Sequence, residues 1–78
     1  MSNEIKNQVV IQTEFIKLEA AMKLSNAVSS GGEAKNVILD GLVEVNGEVC
    51  TMRGKKLRPG DSFAFQGVTY TVGLHERH

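Results

Sequence analysis

The stretch from Ser29 to Gly47, SSGGEAKNVILDGLVEVNG, leaves its part of the chain few choices of structure. Its signals read, in order, as helix start, helix, stop, strand and hairpin. Ser30 is an N-cap residue, because its hydroxyl accepts from orphan backbone N–H groups of a first helical turn. Glu33, three residues on, completes a capping-box pattern. Ala34, Val37, Ile38 and Gly41 recur at three- and four-residue steps, so one helical face is apolar or small. Gly41 stands where a helix wants a left-handed C′ residue. Leu42, Val43 and Val45 read as a strand, and Asn46-Gly47 is a strong hairpin signal.

The same stretch offers chemistry. Gly31 and Gly32 remove side chains from the helix start. First-turn N–H groups and the positive end of the helix dipole then stand open to an anion, with Lys35 one turn further in. The plainer alternative is that the glycines only permit a tight turn between two packed helices.

Seventy-eight residues make one domain, spanning 1–78, near the lower end of what folds alone. Nearly all its apolar residues are needed for a single core, which leaves little room for a buried cavity. That core is aliphatic, because the aromatics are limited to Phe15, Phe63, Phe65 and Tyr70. Nine basic and nine acidic residues cancel, which excludes a globally basic protein. Nucleic-acid binding therefore requires positive charge gathered on one face. Cys50 has no internal disulfide partner, so nothing suggests a secreted scaffold. No membrane-spanning run or signal peptide is present, which points to the cytoplasm.

Around the central stretch, Val9 to Ile11 reads as a strand. Glu14 to Ala27 reads as a first helix with Thr13 as its cap and Phe15, Leu18, Met22 and Ser25 on one stripe. Glu48 to Met52 is a returning strand. Pro59-Gly60-Asp61 is a turn, since proline presets φ and glycine supplies positive φ. Strands follow at Phe63–Phe65 and Val68–Val72, with a turn at Gln66-Gly67. The ends, 1–7 and 74–78, read as loose.

Arg53, Lys55, Lys56 and Arg58 place four bases in six positions with no acid between them. The segment is either a phosphate-contact surface or a solvated loop. Lys17, Lys23 and Lys35 extend it if helices and loop share a face. Catalytic alternatives are thin. His75 and His78 are half a metal site at best, with Cys50 the only other soft ligand, so neither metal nor other cofactor is expected. No triad or phosphate-cradling loop of the Walker type is present, and no enzymatic activity is expected.

The order helix, Ser30-Gly31-Gly32-Glu33-Ala34-Lys35, helix, Gly41-Leu42-Val43-Glu44-Val45-Asn46-Gly47, basic loop, Leu57-Arg58-Pro59-Gly60-Asp61 resembles the RNA-binding domain of the ribosomal-protein-S-four type, the αL motif. The resemblance covers roughly Phe15 to Val72. The pairing of G-x-V-x-V-N-G with L-x-P-G-D is its specific part, and the Ser-Gly-Gly-x-Ala-Lys variant looks like small stand-alone bacterial members. The resemblance implies an α+β fold, two short helices packed on a small curved antiparallel sheet of about four to five strands. It implies binding to structured RNA, ribosomal or transfer RNA. Its contacts carry over to Ser30, Gly31, Gly32, Lys35, Arg53, Lys55, Lys56 and Arg58, with Lys23 at their margin. The chain departs from the family where many members carry an arginine after the serine, since Gly31-Gly32 stand there. That shifts phosphate binding toward backbone amides.

The expectation is a monomeric, non-catalytic RNA-binding domain acting in translation or ribosome assembly, in contact with RNA or the ribosome and not with membrane. Few aromatics mean no stacking platform for single strands, so shape and phosphates dominate recognition. The alternative is a protein-interaction module that keeps the fold without RNA, marked by an exposed apolar patch on the open sheet face. A sulfur-carrier reading is disfavoured by an ending Glu76-Arg77-His78 that lacks Gly-Gly.

Overall fold

The computed structural model describes residues 7–74. The expectations for Met1–Lys6 and for His75 and His78 lie outside them. The elements, in chain order, are β1 (Gln8–Ile11), β2 (Ile16–Lys17), α1 (Leu18–Leu24), α2 (Gly31–Leu39), β3 (Val43–Val45), β4 (Glu48–Val49), β5 (Lys56–Leu57), β6 (Ser62–Phe65) and β7 (Val68–Leu74). This is the expected α+β architecture. The larger sheet has the order β1-β7-β6-β3-β4, and β2-β5 form a separate two-stranded ribbon. All pairings are antiparallel except β1 with β7, which is parallel, with Val9 opposite Val72.

The two faces of the sheet follow from alternation along each strand. Val43, Val45, Phe63, Phe65, Val72, Val9 and Ile11 are buried and meet Leu18, Ala21 and Met22 of α1 and Ala34 and Ile38 of α2. Phe63 and Tyr70, cross-strand partners, stack at 4.9 Å between centroids. The other face carries the exposed Gln8, Thr71, Thr69 and Glu44, with Ala64 half-buried.

Local chemistry explains the element ends. Ser30 Oγ accepts from Glu33 N at 3.1 Å, as its sequence position predicts. Glu33, however, does not reach back to Ser30 N: its carboxylate accepts from Ser29 N and Ser29 Oγ, one residue earlier. At the other end Gly41 has φ +77, with Gly41 N donating to Ile38 O and Leu42 N to Val37 O, a Schellman stop. Asn26, φ +64, ends α1 in the same way, donating to Lys23 O while Ala27 N donates to Met22 O.

Several expectations need correction. The first helix begins at Leu18, not Glu14, and ends at Leu24. Ile16–Lys17 pairs with Lys56–Leu57 instead, and Thr13 donates to Phe15 O without capping a helix. The strand after Asn46-Gly47 stops at Val49 rather than Met52, and Leu42 precedes β3 rather than joining it. Leu74 belongs to β7, and Asn7 O accepts from Thr71 N, so neither is part of a loose end. Ile16–Lys17, Leu74 and Asn7 are claimed by partners distant in sequence, whereas the end of α1 and the place of Leu42 are set by local helix-stop bonds.

Candidate nucleic-acid interface

The basic segment is fastened to the start of α1. Leu18 N donates to Lys55 O at 2.8 Å and Glu19 N to Arg53 O at 3.1 Å. These are first-turn N–H groups, which no residue within α1 can satisfy. Lys17, the N-cap residue, makes no side-chain cap bond, so the main chain of the basic segment caps this helix instead. The ribbon adds a second tie, with Lys17 opposite Lys56 and Ile16 opposite the buried Leu57. Lys17, Arg53, Lys55 and Lys56 are thereby gathered around one helix start, and all four are exposed.

Two like charges facing each other across a ribbon oppose folding. Lys56 offsets part of this by placing its Nζ over the Phe15 ring, 4.9 Å from the centroid. Phe15 is thus outside the helix stripe assigned to it from the sequence, and half-buried beneath a lysine.

Arg58 sits at the far end of the segment. Its N–H donates to Asp61 Oδ2 at 2.8 Å, and Asp61 N donates back to Arg58 O, closing the turn over Pro59 and Gly60, where φ is +100. Asn46 holds this turn against the β3–β4 hairpin through Asp61 Oδ1 and Ser62 N.

The second group of residues lies on the first turn of α2. Ser30, Gly31, Gly32 and Lys35 are exposed. A Cβ built on Gly31 meets nothing within 4 Å, and one on Gly32 meets only Ser30 Oγ at 3.9 Å. The helix start is therefore open, and glycine is not required there by crowding. The N–H groups of Gly31 and Gly32 have no partner within the helix, by its geometry. Glu33 shares this turn. The Ser29 backbone N–H, helped by the Ser29 hydroxyl, holds its carboxyl below the ordinary value. Lys23, exposed, stands in the last turn of α1.

Sequence reasoning passed over a shallow groove of about 570 Å³ lined by Ile16, Ala20, Lys23, Leu24 and Asn26. Its signal was Leu24, an apolar residue beside the packed stripe and not on it; it is 58% exposed. Cys50 is half-buried, and its thiol lies 3.7 Å from Met52 O. Among the described residues there is no cluster of metal-ligating side chains and no helix long and apolar enough to cross a membrane.

A two-helix core docked on a sheet, a capped glycine-rich second helix and a basic segment closed by a Pro-Gly-Asp turn define a domain class. The chain belongs to the S4 domain family, whose model matches residues 9–73. It is similar to a Bacillus subtilis (strain 168) protein described as the probable ribosome maturation protein RlbA, with 39% identity over 61 residues, 78% of this chain and 86% of that protein.

Proposed function

We propose that this chain is a non-catalytic RNA-binding domain that grips structured RNA, ribosomal or transfer RNA, through phosphates and shape and acts in ribosome maturation in the cytoplasm. The observation that carries the reading is the docking of Arg53 and Lys55 carbonyls on Leu18 and Glu19 N–H, which gathers Lys17, Arg53, Lys55 and Lys56 on one side of a chain with no net charge. Ser30, Gly31, Gly32 and Lys35 add a second anion contact through backbone N–H groups, Lys23 in the last turn of α1 adds a further cation, and Arg58 extends the first group. Membership of the S4 domain family and the description of the B. subtilis relative support the same reading.

The test is a salt titration of binding to purified ribosomal RNA. About four phosphate contacts give log K a slope against log salt of roughly −3. Changing Lys55 and Lys56 to Ala weakens binding and flattens that slope by about two. Unchanged affinity in the double variant removes the basic segment from the interface.

A protein-binding role is the second reading. Among the described residues the outer sheet face carries Val10 and, opposite Glu44, Val49; Val49 also adjoins Gly41, beside which Leu39 and Leu42 are likewise more than half exposed. Partners that survive nuclease treatment in a pull-down favour it, and partners that all vanish reject it.

A further inference from the structure

The groove on α1 combines three kinds of group that RNA recognition uses separately. Ile16, Ala20 and Leu24 give it an apolar floor. Asn26, held at the helix end with φ +64, brings an exposed amide with both donor and acceptor. Lys23 brings a cation within the groove itself, and Lys17, opposite Lys56, follows Ile16 in the chain. No carboxylate lines it. Lys17 caps the start of α1 and Lys23 stands in its last turn, so the two cations flank the helix from end to end.

We infer that this groove takes a single unstacked nucleobase, bulged from a stem whose phosphates lie along Lys17, Lys23 and Lys56. The inference rests on the RNA-binding reading and adds a subsite to it. The floor accepts the face of the base. The Asn26 amide meets a base edge, and adenine, with a donor and an acceptor side by side, suits an amide best. Charge complementarity selects the occupant: a groove whose one charged lining residue is Lys23, with Lys17 next to Ile16 in the chain and no carboxylate in the lining, fits a polyanion with an apolar flat group, not an apolar peptide. Leu24, exposed on a helix whose other large apolar residues are buried, has a purpose in this arrangement.

Two synthetic RNA hairpins test it, one with an uninterrupted stem and one with the same stem carrying a bulged adenosine. The full chain binds the bulged hairpin about fourfold to tenfold more tightly, the effect expected of partly burying one leucine. Leu24→Ser loses that preference while keeping the salt slope. Ala20→Gln, which fills the floor with a polar chain, loses it as well and decides the question if Leu24→Ser proves unstable. Lys55→Ala with Lys56→Ala weakens both hairpins and keeps their ratio. A preference retained in Leu24→Ser and Ala20→Gln overturns the subsite. Equal, salt-sensitive binding of both hairpins by the unaltered chain overturns it too and leaves RNA binding standing. Binding of neither hairpin at low salt overturns both.

Discussion

Asn46 and Asp61, one in the β3–β4 hairpin turn and the other after Pro59-Gly60, are joined side chain to side chain at 3.3 Å. Asp61 uses its second oxygen on Arg58 N, and Asn46 uses its amide oxygen on Ser62 N. The two sequence motifs that mark this fold are therefore one structural unit. It fixes where the basic segment ends and where β6 begins.

Asp61→Ala removes an acceptor from both Arg58 N and Asn46. Net hydrogen-bond contributions of about 1 kcal/mol each give a loss of about 1–2 kcal/mol. In a domain this small that lowers Tm by about 4–8 °C for each kcal/mol. A calorimetric scan checks it. An unchanged Tm means that the clasp adds nothing to stability.

Lys17→Glu is expected to move stability and RNA affinity in opposite directions. Glutamate opposite Lys56 replaces a repulsion with an attraction, and it places an acid at the start of α1. Urea unfolding should show a gain of a few tenths to about 1 kcal/mol. Binding to ribosomal RNA should weaken. If both fall together, Lys17 serves the fold and not the interface.

Glu33 gives the domain an acid-sensitive joint. Because its carboxyl is held below its ordinary value, principally by Ser29 N–H, the stabilisation is present above that value and is lost as pH falls through the folded-state value. Unfolding curves of the wild type and Glu33→Gln should differ most near neutrality and converge in the acid range. The same substitution removes a negative charge beside Gly31 and Gly32 and should tighten RNA binding at pH 7 if phosphate sits there.

Positive φ at a non-glycine residue marks a place for improvement. Gln66, φ +55, precedes Gly67, φ +80, in the β6–β7 turn. Gln66→Gly or Gln66→Asn should stabilise by about 0.5–1 kcal/mol by relieving left-handed strain. Gly41→Ala should destabilise by about 1 kcal/mol through backbone strain alone, because a Cβ there meets Val49 Cγ1 at an ordinary 3.8 Å. Thermal melts of the three variants check both signs.

What was legible in the sequence was local. Ser30, Gly41, Asn46-Gly47 and Pro59-Gly60 act on residues a few positions away, and each does in space what its chemistry predicts. What was illegible depended on distant partners. Residues 15–17 fall within the expected first helix, with Phe15 on its stripe, yet Ile16 finds Leu57 and Phe15 finds Lys56 across a long span of chain. The strand after Gly47 ends early because the chain must turn so that Arg53 and Lys55 carbonyls cap α1. The parallel pairing of β1 with β7 joins opposite ends of the described chain, and no local signal announces it. The basic residues were legible as a run, but their attachment to the start of α1 was not.

Crosslinking of the full chain to RNA in cells, followed by sequencing of what is bound, tests the central claim most directly. The account predicts recovery of a defined region of ribosomal or transfer RNA, lost at high salt and in the Lys55→Ala, Lys56→Ala variant. Recovery of nothing above background from a well-folded protein contradicts it and leaves the apolar surface around Gly41 as the working face.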